Sequence, residues 1–111
     1  MTGPTNDFIR GTLEMLVLKV VRLEPMHGWG ISERVQMLSK DSLSFSPGSL
    51  YPVLAKLQRT GMLESEWGRT ENNRRARFYR LTPEGERRLD AEHANWRRLS
   101  AAVNWIMETA N

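Results

Sequence analysis

Apolar residues at Ile9, Leu13, Leu16, Val17, Val20 and Val21 return at the three- and four-residue spacing of a helix, and the pattern stops ahead of Pro25. A first helix is therefore predicted from about residue 8 to residue 23. Met15 and Leu18 add apolar character on its other side, so this helix has to be covered twice, once by its own core and once by something else. His27-Gly28-Trp29-Gly30 reads as a turn, after which Ile31, Val35 and Leu38 mark a second helix ending near Lys40. A loop follows over residues 41–45. Ser46 then has the chemistry of an N-cap, and Pro47 suits the first helical position, where its missing N–H would have no partner anyway. Leu50, Leu54 and Leu57 carry this third helix to a stop at Gly61. Pro52 lies inside it and cannot donate to the Gly48 carbonyl, so it either loosens the first turn or shifts the helix start.

Past Gly61 the period changes. Residues 62–68 and 74–81 are short segments rich in aromatic and branched side chains, and the polar tip Arg69-Thr70-Glu71-Asn72-Asn73 separates them, which predicts a β-hairpin. Thr82-Pro83-Glu84-Gly85-Glu86 starts a last helix, with Thr82 as N-cap and acids facing the positive end of the dipole, that reaches about residue 109. Along it Leu89, Trp96, Val103 and Ala110 recur every seven residues, with Leu99 and Ile106 between them. That is the repeat of a coiled-coil seam. A compact monomer could bury the same stripe against its own core, but so short a helical core favours pairing with a second copy. The expected dimer interface is Leu89, Trp96, Leu99, Val103 and Ile106.

Composition removes several classes of function. The 111 residues, 40% hydrophobic and 26% charged, describe one ordinary globular domain. No apolar run approaches the ~20 residues of a membrane span, and residues 1–10 lack the order of a secretory signal, so a cytoplasmic protein without a membrane partner is expected. There is no cysteine for a disulfide or a thiolate zinc, and His27 and His93 stand far apart, so neither a metal nor another cofactor is expected. Paired carboxylates, a nucleophile beside a base and a phosphate-cradling glycine loop are all missing, which makes an enzyme the weakest option.

The charge is informative in its placement. Lys19, Lys40 and Lys56 are the only lysines among 16 basic residues, and arginine is the side chain whose planar fork pairs with phosphate or with the edge of guanine. Arg69, Arg74, Arg75, Arg77 and Arg80 gather within one hairpin against the single acid Glu71. A solvated hairpin kept soluble by its arginines would look the same in isolation. Three helices followed by an arginine-lined hairpin, however, is the order of a winged helix, whose third helix enters the major groove while the wing follows the backbone or minor groove. The fold class expected is mainly α with a small β-hairpin: a winged helix-turn-helix over residues 1–81 and a C-terminal dimerisation helix over 82–111, one compact unit. Winged helices also serve as protein-interaction modules, which stays as the alternative.

The segments His27-Gly28-Trp29-Gly30-Ile31, Ser46-Pro47-Gly48-Ser49-Leu50-Tyr51-Pro52-Val53-Leu54 and Arg77-Phe78-Tyr79-Arg80-Leu81-Thr82-Pro83-Glu84-Gly85 together resemble the PadR-type transcriptional regulators, in their shorter subgroup with a single C-terminal helix. Trp29 departs from the tyrosine common there. The resemblance implies a repressor, usually of a neighbouring efflux or detoxification gene, that releases double-stranded operator DNA when a small planar aromatic or cationic effector binds. Expected DNA contacts are Ser46, Gly48, Ser49, Tyr51 and Lys56 on the third helix and Arg69, Arg74, Arg75 and Arg77 on the wing, with Ser46 serving first as a cap. A mid-seam Trp96 faces its symmetry mate in a two-fold homodimer and is too large to interdigitate. It therefore either fills the interface or splays the helices around a ligand-sized gap, with Met15 and Leu18 as candidate lining.

Overall fold

The computed structural model describes residues 7–110, with side chains from residue 11 onward. The side chain of Ile9, residues 1–6 and Asn111 lie outside the described residues. The chain runs α1 (Asp7–Leu23), β1 (Met26–His27), α2 (Gly28–Leu38), α3 (Pro47–Arg59), β2 (Leu63–Arg69), β3 (Arg75–Leu81) and α4 (Pro83–Met107). The strands form one antiparallel sheet in the order β1-β3-β2. This is the mainly α, winged-helix arrangement that the sequence pattern predicts.

One core joins the helices to the base of the hairpin. Leu13, Val17, Leu18, Val20 and Val21 of α1 meet Ile31 and Val35 of α2, Leu50, Val53, Leu54 and Leu57 of α3, Leu63 and Tyr79 of the sheet, and Leu89 of α4. α1 is the central element, since α2, α3, β3 and α4 all pack on it. Its second apolar side is thus covered within the protomer, and Leu18 is completely buried.

The caps explain the boundaries. Ser49 and Gly85 donate their backbone N–H groups to the hydroxyls of Ser46 and Thr82, satisfying donors that the first helical turn leaves free. Gly61, at φ +82°, takes the left-handed turn that ends α3 and starts β2. At Gly85 the α4 backbone lies so close to the Met62 carbonyl that a Cβ would collide with it, which is why glycine stands in the Thr-Pro-Glu-Gly start of this helix.

The structure corrects two local expectations. The predicted turn at residues 27–30 is instead the last residue of β1, His27, followed by the first turn of α2, which starts at Gly28. The cause is His27, whose Nδ1 accepts the Gly30 N–H at 3.1 Å as the N-cap of α2, while its ring meets Phe78 edge-on at 5.3 Å. Of the two outcomes open for Pro52, the shifted start is overturned: α3 begins at Pro47 and continues through Pro52, so the missing N–H falls on the first turn. The Gly48 carbonyl, deprived of that hydrogen bond, belongs to an exposed residue where water can serve. Among the described residues no helix is long and apolar enough to cross a membrane, and no group of acidic or histidine side chains could hold a metal ion.

Candidate nucleic-acid interface

α3 presents two faces set by its 3.6-residue period. Leu50, Val53, Leu54 and Leu57 face the core, which leaves Ser46, Gly48, Ser49 and Tyr51 exposed on the other side. The first turn thus offers solvent-facing glycine and serine, with Tyr51 49% exposed beside them. Such a surface lets a phosphate or base edge approach the backbone closely.

The Tyr51 phenol lies over Gly28, where a Cβ would come within 2.6 Å of its hydroxyl. Gly28, His27 and the exposed Trp29 thereby form one wall of a cleft of about 760 Å³. The other wall is the wing, from Thr70 to Arg77. Trp29, at the start of α2, reaches the cleft that the turn reading did not connect it with. Only the placement of α2 against the wing reveals this, because nothing in a local pattern brings residues 29 and 75 together.

Within the wing the arginines divide by strand alternation. Arg80 donates to Glu64 at 2.7 Å and lies 3.7 Å from Glu66, so its charge is compensated, and Glu64 holds its guanidinium above the ordinary arginine range. Among the described residues no carboxylate pairs with Arg69, Arg74, Arg75 or Arg77. Arg77 donates instead to the Ser65 hydroxyl at 2.7 Å and Arg69 to the Asn73 carbonyl at 3.2 Å. Beneath them Tyr79 anchors the wing to the core, where burial pushes its phenol up against the opposing pull of Arg77. The cleft thus brings Arg74, Arg75 and Arg77, which have no carboxylate partner among the described residues, together with Glu71, Glu33, Trp29 and Tyr51.

Lys56, an expected DNA contact, also has a partner inside the protomer. It lies on the edge of the buried face of α3, and its Nζ reaches inward to the buried Glu14 of α1 at 2.7 Å. Arg88 of α4 approaches the same carboxylate at 3.6 Å and also pairs with Glu92. One buried carboxylate therefore ties α1 to α3 and α4. Replacing Lys56 and Arg88 together with methionine is expected to strand that charge and cost about 3 kcal/mol of folding stability. Glu14→Leu should cost clearly less, because the half-exposed cations it frees can reach water. Urea unfolding of both variants checks this order.

Two further expectations are corrected on α1 and α4. Leu18 is in the core and cannot line a gap between subunits. Leu89 is likewise buried, at 3% exposure, so the outward stripe of α4 begins after it. Beyond that point Trp96, Leu99, Val103 and Ile106 are 37, 42, 47 and 72% exposed, and Trp105 and Met107 add to them. Met15 is partly buried and lines a small cavity of about 150 Å³ between α1 and α4, together with Trp96, Leu99 and Glu92.

This architecture is shared with known proteins. Residues 17–91 match the transcriptional regulator PadR-like family. A transcriptional regulator of Mycobacterium tuberculosis is 32% identical over 98 residues, spanning 88% of each chain. The crystal structure of a PadR family transcriptional regulator from Eggerthella lenta superposes with a TM-score of 0.76 at 34% identity, over 94% of this chain and 88% of that one. A Streptococcus mutans protein superposes with a TM-score of 0.80 at 27% identity, covering 97% of this chain and 94% of that one. The chain belongs to the PadR-like family of transcriptional regulators, a family of regulators and not of enzymes.

Proposed function

We propose that this chain is a ligand-responsive repressor that acts in the cytoplasm and binds an inverted-repeat operator as a homodimer. Residues 1–81 read the DNA and residues 82–111 pair the subunits. The observation that carries the DNA reading is the cleft itself: its wing wall carries Arg74, Arg75 and Arg77, which like Arg69 lack any carboxylate partner among the described residues, and its other wall carries the exposed Trp29 and Tyr51. Phosphates entering it would relieve the mutual repulsion of these arginines and release counterions. A mobility shift with the DNA upstream of its own gene, at two salt concentrations, tests this. Steeply salt-sensitive, sequence-preferring binding is expected, whereas binding indifferent to sequence and salt would favour a protein-interaction module.

The exposed stripe from Trp96 to Ile106 supports the dimer, because so continuous an apolar face on a helix this long is rarely left in water. The cavity beside Trp96 supports the ligand response. It combines an indole and Met15 with the edge of the Arg88–Glu92 ion pair, a lining suited to a flat aromatic molecule. A ligand lodged between subunits would shift the spacing of the two α3 helices and weaken the operator complex. Stacking on an indole contributes on the order of 1 kcal/mol, so Trp96→Ala should weaken binding of planar aromatic dyes about fivefold or more. Dye titration of the native and variant dimers checks it, and equal affinity in both would place the ligand elsewhere.

A further inference from the structure

We infer that Trp67 is a positioning residue for DNA binding, the platform on which Arg75 and Arg77 are held ready for phosphate; this rests on the DNA reading above. In the β2–β3 ladder Trp67 lies directly opposite Arg77 and Arg69 directly opposite Arg75. The period of two brings all four side chains out on one face of the hairpin, with Trp67 and Arg75 as diagonal neighbours. The Arg75 guanidinium carbon is 4.2 Å from the indole centroid and that of Arg77 is 4.9 Å away. Both distances are within the ~6 Å reach of cation–π attraction.

The two faces of the hairpin are built differently. On the opposite face Arg80 is neutralised by Glu64 and Glu66. On the Trp67 face the two cations share one aromatic ring, which orders them without cancelling their charge. A carboxylate would fix an arginine equally well but would then compete with phosphate for it. The indole makes no such competition, and an arginine already ordered gives up less rotamer freedom when DNA arrives. Trp67 remains 52% exposed, so its burial contributes little to the core.

The test is a set of fluorescence-anisotropy titrations of the intact protein with a duplex from its own upstream region and with an unrelated duplex of equal length. Trp67→Leu should lower affinity for both duplexes by about tenfold, because two arginines that the indole had ordered must then lose their rotamer freedom when DNA arrives. Trp67→Phe should recover most of that loss, since a ring remains. In an Arg75→Ala, Arg77→Ala background the same Trp67→Leu change should cost less than about twofold, because the groups it positions are gone. The unfolding midpoint should stay at the native value throughout. Equal losses in the two backgrounds would overturn this inference alone, since Trp67 would then touch DNA itself or support the fold. Lack of salt-sensitive binding by the native protein would overturn the DNA reading and this inference with it.

Discussion

Replacing Val103 and Ile106 with aspartate is expected to convert the protein to a monomer and to lower operator affinity by about 10²–10⁴-fold. The two side chains are 47 and 72% exposed on α4 and lie far from the core, so the protomer should fold as before. Four carboxylates brought together across a two-fold seam would repel and would have to be desolvated, which removes the seam. Each winged helix would then hold a half-site without the high effective concentration that its partner provides. Sedimentation equilibrium reads the first effect and anisotropy titration the second. A variant that stays dimeric would show that another surface pairs the subunits. A monomer with undiminished affinity would show that the operator needs only one copy.

Alanine at Arg74, Arg75 and Arg77 together should weaken binding to every DNA sequence alike. On the proposed reading the wing contacts phosphates, and each phosphate neutralised would add about 0.9 to the slope of log affinity against log salt. Three such contacts on each of two wings correspond to a slope smaller by as much as about five, and to a loss on the order of a thousandfold near physiological salt. Preference between sequences should survive, because base edges are read from α3. Titrations across a salt series with a preferred and an unrelated duplex would check both parts. A changed sequence preference with an intact slope would mean that the wing reads bases.

Much of this architecture is legible in the residues, for identifiable reasons. Helix spacing in α1, α3 and α4 is strong, and each of α3 and α4 announces its start with a hydroxyl cap followed by proline, Ser46-Pro47 and Thr82-Pro83. The first hairpin strand is displaced by only one residue at both ends and the second starts only one residue later than expected, since alternation and the polar tip mark them well. What a linear pattern cannot carry is which side of an element is covered, and by what. Leu18 sits off the main stripe of α1 and so reads as outward, yet α1 is enclosed on both sides. The burial of Glu14, which two cations on α3 and α4 accompany, has no signal in the spacing. The ion pair that Lys56 makes with Glu14 is likewise invisible in a linear pattern. β1 has two residues, too few for any alternation, and exists only because β3 offers it an edge.

The candidate interface shows the same division. Clustering of arginines on one hairpin is visible in the chain, and so is the polar start of α3. Their separation into a compensated face at Arg80 and an uncompensated face at Arg75 and Arg77 depends on strand register, which pairs Trp67 with Arg77. The seven-residue stripe of α4 is likewise visible, whereas the loss of Leu89 from it to the protomer core is a consequence of how α4 docks on α1.

A hydroxyl-radical footprint of the native protein on the DNA upstream of its own gene tests the central claim most directly. One recognition helix per subunit and a two-fold α4 seam predict two protected blocks related by inverted symmetry, with centres about 10 bp apart. A single unrepeated block fully protected by one protomer, or uniform protection along the duplex, would contradict it.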